Sequence, residues 1–156
     1  MRGGRALEIA RRHSRLRIDR RSLAAALDRL DAQARRFRGG CPRGTLSLAF
    51  LGDRALARLH GRFLGDPSAT DVITFPGAGS PAAGEICVSV EAAIRQAGRS
   101  AGRLSAELTL YVIHGWLHLA GYDDTTAAAR RAMRRAEARA MGLLSRSRNL
   151  PRFRLA

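Results

Sequence analysis

The stretch LSAELTLYVIHGWLHLAGYDD, Leu104 to Asp124, decides how the rest of the chain is read. Its first part, through Leu119, is so rich in apolar residues that it predicts a helix central to the core. Within it His114 and His118 stand four residues apart. On an α-helix that spacing puts both imidazoles on one face, one turn removed. Gly121 follows, and glycine accepts the positive φ that commonly ends a helix. A reversal there can return Asp124, or its neighbour Asp123, toward the two histidines.

Zinc takes neutral imidazole nitrogen and carboxylate oxygen in a tetrahedral shell. A set of two histidines and one aspartate leaves a fourth position open for water. The steps from His118 to Gly121 to Asp124 equal those in the extended zinc-peptidase pattern H-E-x-x-H-x-x-G-x-x-H. That pattern places a general-base glutamate directly after the first histidine. Here the position is Gly115, so a peptidase would lack its usual proton acceptor. The competing reading is a buried structural pair of histidines without a metal.

Working outward, the 156 residues suit one domain with a single core. Lys+Arg total 28 against 13 Asp+Glu, a formal net charge of +15. No lysine occurs, so arginine carries all of it. A surface this positive attracts polyanions, and guanidinium pairs well with phosphate. Nucleic acid is the expected partner, with no membrane partner and no small-molecule cofactor. Cys41 and Cys87 are too few and too far apart for a disulfide framework or a zinc ribbon. The basic N-terminus lacks a continuous apolar run, and no stretch is long enough to span a bilayer. A cytoplasmic location is expected.

Flanking segments read as follows. A short strand is expected around Leu7 to Ala10. Leu23, Ala26, Leu27, Leu30 and Ala34 recur at helical spacing, with Asp19 or Ser22 as cap. TLSLAFLGD reads as a strand, and DRALARLHGRFL as a helix with Asp53 as N-cap. DVITF and EICVSV are β-branched runs joined by the Gly/Pro-rich PGAGSPAAG, a pattern that predicts antiparallel neighbours. VEAAIRQAGRSAG and DDTTAAARRAMRRAEARAMGLL read as helices on either side of the histidine helix. The tail, about 145–156, shows little periodicity and is expected to be an exposed basic end.

HGWLHLAGYDD closely resembles the H-G-x-L-H-L-x-G-Y-D-H signature of the YbeY endoribonucleases. ATDVITFP (Ala69 to Pro76), GEICVSV and AELTLYVIHG resemble further blocks of that family in the same order. The resemblance implies a single α+β domain, a small mixed four-stranded sheet flanked by helices with the metal-bearing helix at its centre. It implies one zinc ion per chain, held by His114, His118 and Asp124. It also implies cleavage of single-stranded RNA, a part in maturing the 3′ end of 16S ribosomal RNA on the small subunit, and ribosome quality control. Two departures stand out. The third ligand is usually histidine, and here it is Asp124. The family often has an arginine where this chain has Leu64, and Arg62 is the nearest candidate for that substrate contact.

Other residues carry two readings each. Thr70 and Asp71 either line the cleft or cap a strand. Glu107, seven residues before His114, is a candidate acceptor for an imidazole N–H, or simply a solvated acid. Asp123 orients the turn or a ligand. Trp116 lies off the histidine face and belongs to the core; Tyr122 packs, or stacks on a base. No catalytic side chain is assigned beyond water on the metal. The leading alternatives are a zinc peptidase and a non-catalytic RNA-binding assembly factor with a structural metal.

Overall fold

The computed structural model describes residues 4–64, 70–79 and 81–156; Ala69, which opens one of the resemblance blocks, lies outside them. In chain order the elements are β1 (Leu7–Arg11), β2 (Leu16–Ile18), α1 (Arg20–Ala32), a 3-10 turn (Ala34–Phe37), β3 (Thr45–Leu51), α2 (Asp53–Leu64), β4 (Val72–Gly79), β5 (Ala82–Ser89), α3 (Val90–Ala97), α4 (Ala101–Leu119), α5 (Ala127–Arg146) and β6 (Phe153–Leu155). A four-stranded sheet has the order β1-β3-β5-β4. β1, β3 and β5 run parallel, and β4 is antiparallel to β5. The fold is therefore a single α+β domain on a small mixed sheet.

The sheet is two-sided. Ile73, Cys87, Leu51 and Leu56 form a small cluster with Phe75 and Leu59, where α2 covers one face. The main core fills the other face, around α4. This helix touches α3, α5, β4, β5 and β6. Leu104, Leu108, Val112, Ile113, Trp116 and Leu117 are buried along it, each side chain contributing about 1.5–3 kcal/mol by leaving water. Trp116 is fully buried and packs edge-on against Phe37 at 5.5 Å. His114 and His118, only half-buried, occupy the stripe of α4 that this packing leaves open.

β4 is an edge strand, which accommodates Pro76 because no ladder N–H is needed there. Both strands of the hairpin extend into the expected connecting loop, with a shift of register between Pro76 and Gly79. Asp19 caps α1 as expected, accepting from the Ser22 backbone N–H at 2.9 Å.

Two expectations are corrected. Asp53 is the first residue of α2 and not its cap. Its backbone N–H donates to Glu91 (2.7 Å), while its carboxylate accepts from the Ser89 hydroxyl and pairs with Arg95. Nor is the tail a free end. Phe153–Leu155 pairs antiparallel with Leu16–Ile18, Phe153 is 3% exposed, and Pro151 is buried. Alternating Phe153, Arg154, Leu155 puts the apolar pair inward and the arginine outward. Among the described residues no helix is long and apolar enough to cross a membrane.

Candidate metal centre

The C-terminal end of α4 closes with two backbone bonds of the Schellman type. Tyr122 N–H donates to the Leu117 carbonyl and Gly121 N–H to that of His118, both at 3.0 Å. Gly121 holds φ at +105°, as the turn requires. The chain reverses and carries Asp124 back over the histidines. Asp123 secures the next step: its carboxylate accepts the Asp124 backbone N–H at 2.7 Å and the Thr125 hydroxyl at 2.8 Å. Those bonds hold its pKa below the usual carboxylate value. Asp123 thus orients the turn and leaves the convergence point to Asp124.

Three donor atoms meet there. His114 Nε2 and His118 Nε2 are 3.0 Å apart, and Asp124 Oδ2 lies 3.6 and 3.5 Å from them. A zinc shell with bonds of 2.0–2.1 Å has tetrahedral edges of about 3.3 Å. The observed triangle averages close to that, and a point about 2.0 Å from all three atoms exists. The donor set therefore fits a divalent ion, and the three residues form a group able to hold one.

His114 is fixed from behind. Its Nδ1 lies 2.9 Å from Glu137 Oε1, on α5. A carboxylate at Nδ1 places the ring proton there and turns the Nε2 lone pair toward the convergence point. Burial works against a charged His114. The Glu137 hydrogen bond and the charges of Glu137, Asp124 and Asp71 outweigh it, so the pKa stands above the ordinary imidazole value.

Glu137 takes the place expected of Glu107. That residue instead lies beside Tyr111, whose phenol is pushed up to about 12 by burial and by the charges of Asp71 and Glu107. Sharing a helix face with His114 was not enough. Seven residues of rise separate the two by roughly 10 Å, whereas α5 packs alongside the imidazole. A signal for Glu137 exists in the sequence: it is the single acid within Ala127–Arg146.

Thr70, Asp71, Val72, Thr74, Pro76 and Leu119 complete a cleft of about 330 Å³ with the three donors. Thr70 and Asp71 are thus cleft-lining. Arg62 is not in that lining; its guanidinium sits 5.5 Å from the exposed Phe63 ring. Tyr122 is 7% exposed, beneath the Arg38 guanidinium at 4.1 Å, and so packs. Trp116 is core. Gly115 is closed to any larger residue, because a Cβ there would stand 2.5 Å from the Ile86 side chain. The glutamate of the zinc peptidases has no room at this position.

The sequence pattern described as Endoribonuclease YbeY matches residues 8–145. The chain belongs to this family. A relative named Endoribonuclease YbeY from Rhodopirellula baltica is 41% identical over 109 residues, covering 67% of this chain and 56% of its own. YbeY proteins of Anaeromyxobacter sp. strain Fw109-5 and Anaeromyxobacter dehalogenans are each 37% identical, covering 83% and 86% of this chain and 65% and 67% of theirs. The chain thus spans between about half and two thirds of the length of these YbeY relatives. A solution structure of a Thermotoga maritima protein shares the fold, with a TM-score of 0.56 at 23% identity, covering 91% of both chains.

Proposed function

We propose that this chain is a zinc-dependent endoribonuclease specific for single-stranded RNA. It acts in maturing the 3′ end of 16S ribosomal RNA and in ribosome quality control, in the cytoplasm, with the small ribosomal subunit as partner. The observation that carries this reading is the convergence of His114, His118 and Asp124 at tetrahedral-edge spacing on the wall of a cleft. Family membership and the excess of arginine support it.

One zinc ion, when bound, supplies a Lewis acid that polarises the scissile phosphate and acidifies a water molecule. His114 and His118 offer neutral nitrogen, and Asp124 a carboxylate whose charge makes that acidification milder than three imidazoles would. Glu137 keeps His114 in the ligating tautomer. Asp71, exposed in the cleft wall, offers a carboxylate to take the proton of the attacking water. Arg62 meets the RNA backbone beyond the residues that line the cleft.

The test compares zinc-loaded wild type with Asp124→Ala on a single-stranded oligoribonucleotide and on casein. Cleavage of RNA by the wild type alone is the expected result. Cleavage of casein and not RNA overturns the reading, as does site-independent zinc content. RNA binding without cleavage by any metal-loaded form would favour the assembly-factor alternative.

A further inference from the structure

A second cavity, of about 700 Å³, opens at the other end of α4. Its rim carries Arg11, Arg17, Arg20, Arg152 and Arg154, against a single acid, Asp19. Its floor is neutral, built from Ala101, Gly102 and Ser105 of the first turns of α4 together with Ile18 and Phe153. Gly102 precedes His114 by twelve residues, so this groove lies roughly 18 Å along the helix axis from the metal centre. No residue is shared between the two.

The arginines here are not consumed by internal pairing. Arg152 meets Asp19 at 2.7 Å, yet its side chain stays 75% exposed. Among the described residues Arg11 and Arg17 donate only to the backbone carbonyls of His13, Ser14 and Leu16. Arg20 and Arg154 are exposed, without an acceptor among the described residues. Most telling is the two-stranded ribbon: Arg17 and Arg154 are direct partners across β2 and β6. Like charges directly opposite each other destabilise a strand pair. A chain that keeps two guanidiniums in that register holds them where an external anion would relieve the repulsion.

The chemistry of the occupant follows from what lines the groove. Five guanidiniums around one cavity exceed what a single phosphate neutralises, which points to a polyanion. A bilayer surface is disfavoured, because Phe153 is buried and none of the exposed residues of the lining carries a large apolar side chain. We infer that this groove binds the sugar-phosphate backbone of RNA and anchors the strand at a distance from the metal centre. The inference rests on the proposed RNA cleavage only for the identity of the polyanion.

The experiment measures binding of a labelled single-stranded oligoribonucleotide by fluorescence anisotropy across a salt series. It uses full-length wild type, Arg17→Ala/Arg154→Ala and Arg17→Lys/Arg154→Lys. Losing two phosphate contacts lowers the slope of log K against log salt by about 1.4 and weakens binding on the order of tenfold. The lysine pair keeps the charge and stays near wild type. The melting temperature of the alanine pair is expected to be equal or higher, since a like-charge contact is removed. Wild-type affinity and slope in the alanine pair would overturn the inference. So would a lower melting temperature in that pair, or a loss confined to anionic phosphatidylglycerol vesicles or to an acidic peptide. Cleavage of the same RNA is followed in parallel. Groove-dependent binding without cleavage would remove the nuclease reading and leave the groove standing.

Discussion

Asp31 and Asp124 both turn a carboxylate toward α4, and they are held in different ways. Asp31 is met by donors. Arg5 Nε and Nη2 reach it at 2.8 and 3.0 Å, and the Trp116 indole N–H at 3.1 Å. Arg5 also donates to the carbonyls of Cys41, Pro42 and Gly44, so the cluster ties the chain start to α1, α4 and the loop before β3. Asp124 is met by nitrogens that mostly accept. With a neutral His114 whose proton is directed at Glu137, only His118 can place an N–H among the three converging atoms. A polar cluster whose donors and acceptors balance is architecture. One in which acceptors converge stays uncompensated until a cation arrives.

The largest effect should come from breaking the acceptor cluster. His118→Ala removes one of the three proposed ligands, and bound zinc should fall to background in elemental analysis. If zinc supplies about 4 kcal/mol of transition-state stabilisation, RNA cleavage drops on the order of a thousandfold. The fold should survive, since His118 belongs to the open stripe of α4. A variant that keeps stoichiometric zinc would end the distinction drawn between the two carboxylates.

Arg5→Ala is the counterpart in the donor cluster. Its side chain is only 9% exposed, and its removal leaves Asp31 with the Trp116 N–H alone and strips three carbonyls of a donor. A loss of about 2–4 kcal/mol is expected in urea unfolding. Zinc affinity of the folded protein should not change. A change of both quantities together would mean the clusters are one coupled unit.

Glu137→Gln probes the metal centre from behind, where the carboxylate accepts from His114 Nδ1 while the same ring turns Nε2 to the convergence point. Glutamine keeps the volume and loses the charge. Zinc affinity by competition with a chelator should weaken by about 10–100-fold. Unfolding midpoints of the metal-free protein should move little. Replacing Glu107 in the same way should leave zinc affinity unaltered.

How much of this was legible follows from the same contrast. Leu108, Val112 and Trp116 repeat at helical spacing, so α4 and its buried faces can be read directly. His114, His118 and Gly121 sit within one or two turns of each other, so local geometry fixes them. Glu137 is 23 residues from its imidazole, and only the packing of α5 on α4 brings it there. The Arg5–Asp31–Trp116 cluster likewise joins positions up to 111 residues apart that carry no mutual spacing rule. Leu16–Ile18 and Phe153–Leu155 are three-residue strands, too short for alternation to stand out. The tail therefore looks free until its partner strand is placed.

Asp53 offers the smallest and most pointed test, because it is a satisfied carboxylate near the surface. Hydrogen bonds from Arg95 and Ser89 hold its pKa below the ordinary value of 3.8. A carboxyl whose folded pKa is depressed contributes stability that is fully present above its unfolded pKa. That contribution is lost as the pH falls through the folded pKa. The wild type should therefore lose an increment of stability only on acidification below about pH 4, and Asp53→Asn should lack that increment at every pH. The side chain is 32% exposed, so solvent screening limits the effect to about 0.5 kcal/mol. Paired acid titrations of unfolding free energy would read it as a wild-type curve that converges on the variant at low pH. Parallel curves would mean that Arg95 and Ser89 meet this carboxylate without stabilising it, and donor balance alone would no longer separate architecture from a ligand set.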